Sequence, residues 1–161
     1  MILGMSLRTF TYLHVYISLI AIGSGLIVVY SMITAKVLRL MIPIFLITTA
    51  LTSLTGFLFP FKGVTPAIVL GIISLIVLVA AVIARRHVAA SGAWRGTYVI
   101  TSVLALYLNF FVLIVQLFQK RPALHALAPT QTELPFTCAE LAALVVFIAL
   151  ATAAFKKYRP A

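Results

Sequence analysis

Aspartate is absent from this chain, and its two acidic side chains, Glu133 and Glu140, stand against twelve Lys and Arg. That removes Ser-His-Asp chemistry, where only a glutamate could stand in for the missing acid. It equally disfavours metal sites built from carboxylates. Cys138 is the single cysteine, so no intrachain disulfide can form and the redox compartment cannot be read from it. A phosphate-binding glycine loop, HExxH, CxxC and Gly-x-Ser-x-Gly are all missing, and with them the sequence signals for nucleotide, zinc-protease, dithiol and serine-hydrolase chemistry. Charge of either sign is scarce, at 9% of 161 residues. A soluble domain needs far more to cover its surface.

What the chain has in abundance is apolar side chains, at 64% of residues, with a mean hydropathy of +1.23. They fall into five runs, residues 12–34, 40–60, 66–84, 97–118 and 136–155. Each approaches the roughly 20 residues that a spanning helix needs. Spanning β-strands would be about half as long and would alternate in polarity. The breaks carry the expected punctuation: Lys36 and Arg39; then Pro60, Lys62, Gly63 and Pro66; then Arg85, Arg86, Gly92 and Arg95. The longest gap, residues 119–135, contains Pro122, Pro129 and Pro135. The first run, at about 23 residues, is too long for a signal-peptide core and reads as a true span. The expected fold is therefore all-α: a single polytopic membrane domain over residues 1–161, built as a bundle of five transmembrane helices. An odd number of helices, with no visible repeat, disfavours a simple inverted duplication.

The formal net charge is +10. In a soluble domain this would point to nucleic acid. Here the cations sit between apolar runs, which assigns them to topology and to anionic lipid headgroups. Five spans place Lys36, Arg39, Arg85, Arg86, Arg95, Lys156, Lys157 and Arg159 on one side, and Arg8, Lys62, Lys120 and Arg121 on the other. The positive-inside rule then puts the N-terminus outside and the C-terminus in the cytoplasm, as in a multi-pass protein of a bacterial inner membrane. The partners expected are the bilayer, anionic headgroups at the cytoplasmic basic gaps, and a homo-oligomer or larger membrane complex, with no role for nucleic acid.

Helix faces narrow the search for a site. Thr101, Ala105, Asn109, Val112, Gln116 and Gln119 are spaced by 4, 4, 3, 4 and 3, which at about 100° per residue makes one stripe. Lipid cannot satisfy amides, so this stripe faces protein or water. Thr48, Thr52 and Thr55 share a face in the second run, where hydroxyls can bond the backbone one turn earlier. Small or polar seams run through His14, Ser18, Ala21 and Gly25, through Ala67, Gly71 and Ser74, and through Glu140, Ala143, Phe147, Ala151 and Ala154. Tyrosines and Cys138 aside, His14 and Glu140 are the ionisable groups within the runs, and an ionisable group inside a membrane segment marks a site by default. With Gln116 they fall at similar depth on the outer side, beneath a loop that adds His125, Gln131 and Glu133. The expected site is an outer polar pocket of His14, Gln116, His125, Glu140 and Asn109, with a His14–Glu140 hydrogen bond as its core. Between Pro122 and Pro129 a short interfacial helix is expected, turning Leu124 and Leu127 down as a lid over that pocket.

The function these features point to is a non-catalytic binding, sensing or assembly module, with no cofactor required. Two alternatives remain open. Leu13-His14 followed by Gly23 and Gly25 resembles the haem-holding helices of small membrane cytochromes over that one segment. The resemblance implies haem b, whose axial ligands here would have to be His14 and His125, since no other histidine lies in a span; quinone could instead bond His14, Gln116 or Glu140. The second alternative is a small transporter or oligomeric channel lined by the Thr101–Gln119 stripe. His87, beside Arg85 and Arg86, belongs to a basic gap. The orientation is directly testable: a cysteine placed in the Lys156 region should stay unlabelled by a membrane-impermeant maleimide added outside intact cells, and labelling there would reverse the topology.

Overall fold

The computed structural model describes residues 2–36, 38–60, 63 and 65–159. Within them the chain forms α1 (Leu7–Thr34), α2 (Met41–Gly56), α3 (Pro66–Arg86), α4 (Gly92–Lys120), α5 (Pro122–Leu127) and α6 (Leu134–Lys157). Lys62 of the second gap and Pro160 and Ala161 of the tail lie outside the described residues. Side chains start three of the helices by accepting from an otherwise orphaned backbone N–H: Ser6 from Thr9, Thr65 from Ile68, and Ser91 from Trp94. Each occupies the N-cap position where a short hydroxyl side chain is favoured. These caps explain why α1 and α4 begin five residues ahead of the apolar runs: their first turns are polar but already helical.

Four helices, α1, α3, α4 and α6, are long and apolar enough to cross a membrane. The fifth expected span is not among them. The apolar run of residues 40–60 yields only the 16-residue α2, roughly 24 Å long against a hydrocarbon core of about 30 Å. Its last residues unwind: Phe57, Leu58 and Phe59 make turn hydrogen bonds to Ser53, Thr55 and Gly56. Proline disfavours helical geometry in the residue before it, so Pro60 ends the helix early even though every neighbour is apolar.

The helices α1 to α4 pack in an antiparallel ring. His14 and Gly25 of α1 meet Thr55 and Phe45 of α2, Phe57 meets Gly71 of α3, Arg85 meets Tyr98 of α4, and Leu106 returns to Gly25. The helix α6 lies against both α1 and α4. Its seam of Glu140, Phe147 and Ala154 is buried, with Phe147 stacked on Tyr107 and Phe110. The main core joins Val28, Met32, Phe45, Tyr98, Leu106 and Phe147, and a smaller cluster around Ile114, Phe118 and Ala128 closes the opposite end.

Apart from Ser102 and Glu140, the buried polar side chains described are satisfied internally. Thr48, Thr52 and Thr55 donate to the carbonyls of Ile44, Thr48 and Leu51, as their spacing leads one to expect. Asn109 Nδ2 donates to Thr49 Oγ1 at 3.2 Å across the ring from α4 to α2, a bond of about 0.6–2 kcal/mol in membrane bundles.

Close approach centres on Gly25. A Cβ there would lie 2.6 Å from Leu106 Cδ1 and 2.8 Å from Phe45 Cε2, and both side chains are fully buried. Gly25→Ala should therefore cost about 1–3 kcal/mol through overpacking, read as a lower midpoint of thermal denaturation in detergent. Gly23→Ala, two residues away with nothing within 4 Å, should leave that midpoint unchanged or slightly raised.

Candidate functional site

The residues expected to form an outer pocket are not hydrogen-bonded to one another. His14 Nδ1 bonds Thr55 Oγ1 at 2.7 Å, and its ring meets Phe59 edge-on at 5.3 Å. That hydrogen bond, to α2, stands where one to Glu140 was expected. Neither carboxylate oxygen of Glu140 has a hydrogen-bond partner, although the residue is only 9% exposed. Asn109 is engaged with Thr49 deep in the ring. Gln116 and His125 are exposed. The structure thus joins none of these five residues to another by a hydrogen bond.

The expected helix between Pro122 and Pro129 is present as α5. Leu124 packs against the Ile114, Phe118 and Ala128 cluster. Leu127, expected to turn down with it, is 56% exposed. The two leucines are three residues apart and share a helix face, but Leu127 is the last residue of α5 and only Leu124 packs on the cluster. The following segment docks there too: Gln131 Nε2 donates to the Val115 carbonyl at 2.9 Å, and Gln119 Nε2 donates to Gln131 Oε1 at 3.2 Å. These bonds hold Gln131 in a left-handed backbone conformation, φ 59°. Glu133 closes the loop by accepting from the Thr130 N–H and hydroxyl and from the Thr132 N–H. Desolvation works to raise the Glu133 carboxyl, but these hydrogen bonds prevail and hold it below the ordinary carboxylate value. The loop covers the seam of α4 and α6.

The opposite end of the bundle holds a cavity of about 590 Å³, within the roughly 300–1,000 Å³ usual for small-molecule sites. Five basic residues line it: Lys36 and Arg39 between α1 and α2, Arg85 and Arg86 at the end of α3, and Arg159 after α6. Its inner wall is apolar, with Val28, Met32, Ile42 and Val82. Arg85 Nη1 donates to Tyr98 Oη at 3.5 Å, and the guanidinium stands over the Tyr98 ring at 5.4 Å from the centroid. Arg95 Nη1 donates to the Tyr158 carbonyl at 2.8 Å, fixing the segment that carries Arg159. Burial pushes the Tyr158 phenol above its ordinary value, against the pull of Arg85, so it stays a hydrogen-bond donor.

No side-chain carboxylate can neutralise this cluster. Glu140 and Lys157 share α6 and are separated along it by roughly 26 Å, and Glu133 is farther still. A cleft lined by one sign of charge over low-dielectric walls concentrates counter-ions, here anions. The cations were legible in the sequence as topology signals. Tyr98, Tyr158 and the apolar wall were not recognised as companions of those cations. The available signal was parity, which brings the ends of α1, α3 and α6 and the starts of α2 and α4 to one side.

The chain matches no known family model, no curated protein and no solved structure. Among the described residues no group of three or more His, Cys, Asp and Glu is arranged to hold a metal ion.

Glu140 gives a test of whether the opposite end is structural or a site. A buried polar group without partners carries a desolvation penalty of about 1–3 kcal/mol. Glu140→Leu should remove it and raise the denaturation midpoint in detergent, while Glu140→Gln should recover less. A midpoint lowered by Glu140→Leu would mean that a partner holds the carboxylate.

Proposed function

We propose that this protein is a small non-catalytic membrane module that binds a phosphate-bearing anion in its basic cavity, and that it works as a binding, sensing or assembly subunit through that ligand. One observation carries the reading: five cationic side chains surround an interhelical cavity that no side-chain carboxylate can reach. Arginine suits this role because its guanidinium forms bidentate, charge-assisted bonds to phosphate oxygens. The Tyr158 phenol adds a neutral donor at the rim.

In this reading the cavity end faces the cytoplasm and the N-terminus lies outside, in a bacterial inner membrane. The excess of basic residues at that end supports the orientation. The outer pocket has less behind it, since His14 already bonds Thr55 and His125 is exposed. Haem b, quinone and a conduction pathway have no observation in their favour beyond residue type.

Calorimetric titration of the purified protein in neutral detergent tests the proposal, with inorganic phosphate and dihexanoyl phosphatidic acid as probes. Losing one charge-assisted bond costs about 1.5–3 kcal/mol, so Arg39→Gln and Arg85→Gln should each weaken binding by roughly ten- to a hundredfold. Arg121→Gln, at the other end, should not. Affinity should also fall as salt rises. Binding that survives both substitutions unchanged would overturn the assignment of the cavity.

A further inference from the structure

We infer that the ligand of the basic cavity is an anionic phospholipid held along its length, with its phosphate among the cations and one acyl chain in an apolar groove on α3. This rests on the anion-binding reading and goes further by naming the ligand class and its path. The groove has a volume of about 200 Å³ and is lined by Leu78, Val79, Val82, Ile83 and Arg86. Val82 and Arg86 also line the basic cavity, so the two spaces meet at these side chains.

The chemistry changes along this path in the order that a lipid requires. Residues three and four apart lie on one helix face, so Leu78, Val79, Val82 and Ile83 form a continuous apolar strip. Leu78 is its floor at 6% exposure, while Val79, at 59%, stands on the open side. Arg86 marks the boundary. From there the strip runs back to Leu78 for roughly 12 Å, and beyond Arg86 every lining side chain is apolar. A soluble anion would fill the cavity and leave the strip to bulk lipid. A chain tethered to a phosphate in the cavity would be led into the strip. The surrounding bilayer is as apolar as the groove, so seating the chain gains packing contacts and no hydrophobic energy. Selectivity therefore resides in the headgroup, and the groove sets where its tail lies. Several cations around one site favour a phosphomonoester headgroup over a singly charged phosphodiester.

Photolabelling tests the inference on the full-length protein in phosphatidylcholine nanodiscs doped with phosphatidic acid bearing a diazirine on one acyl chain. Insertion at residues 78–83 should exceed, by several-fold, insertion at Val145, a comparably open position on α6 at 65% exposure. Excess unlabelled phosphatidic acid should abolish the enrichment, excess phosphatidylglycerol should reduce it less, and the combined Arg39→Gln and Arg85→Gln substitutions should erase it. Val79→Trp, which fills the groove from its open side, should lower the enrichment while leaving calorimetric binding of inorganic phosphate unchanged. If inorganic phosphate binds the wild-type cavity but the label shows no enrichment, the ligand is a soluble anion and the lipid assignment falls alone. If neither probe binds, the anion-binding reading falls with it.

Discussion

Hydrocarbon accepts no hydrogen bonds, so every polar group this chain carries between its ends needs a partner within the protein. The bundle is organised around that demand. Serines and threonines fold their hydroxyls back onto their own helices, as Ser24, Ser31 and Thr48 do. The few side chains that reach across, Asn109 to Thr49 and His14 to Thr55, tie α2 to α4 across the ring and to its neighbour α1. Since α2 is too short to match the longer helices, these ties and the close contact at Gly25 fix its place. Among the described residues Ser102 and Glu140 are the exceptions: the Ser102 hydroxyl and both carboxylate oxygens of Glu140, on the seam of α6, are buried without a hydrogen-bond partner.

The same demand drives charge to the ends of the helices, and there the imbalance of the composition becomes spatial. With two glutamates, one opening α6 and one in its second turn, the far end of that helix meets the ends of α1 and α3 without an acid among them. Arg85 is steadied by the face of Tyr98, and the tail by Arg95. Like charges held together in this way repel one another, and a bound anion would offset that cost.

Much of this architecture can be read from periodicity. The seam of Glu140, Phe147 and Ala154 and the self-satisfied threonines of α2 lie where their spacing puts them. Two kinds of information were out of reach. Helix ends depend on a single cap or proline, so Ser6 and Ser91 lengthened two helices and Pro60 shortened one. Partnerships between helices depend on rotation about each axis, which a pattern constrains to a face and not to a neighbour. His14 was legible as inward-facing, but Thr55 as its partner was not. The cavity is the extreme case: its walls come from Lys36, Arg39, Arg85, Tyr98 and Arg159, five positions with no shared motif.

The place of Tyr158 and Arg159 in that wall also bears on how the protein is made. Chains emerge from the ribosome in order, and early segments can associate before late ones exist. The helices α1 to α4 can close their ring while α6 is still being synthesised, but the cavity lacks a side until the residues after Lys157 have been translated and Arg95 has captured the Tyr158 carbonyl. A complete cavity is thus a property of the fully inserted chain, and a truncated product would carry the ring without that wall.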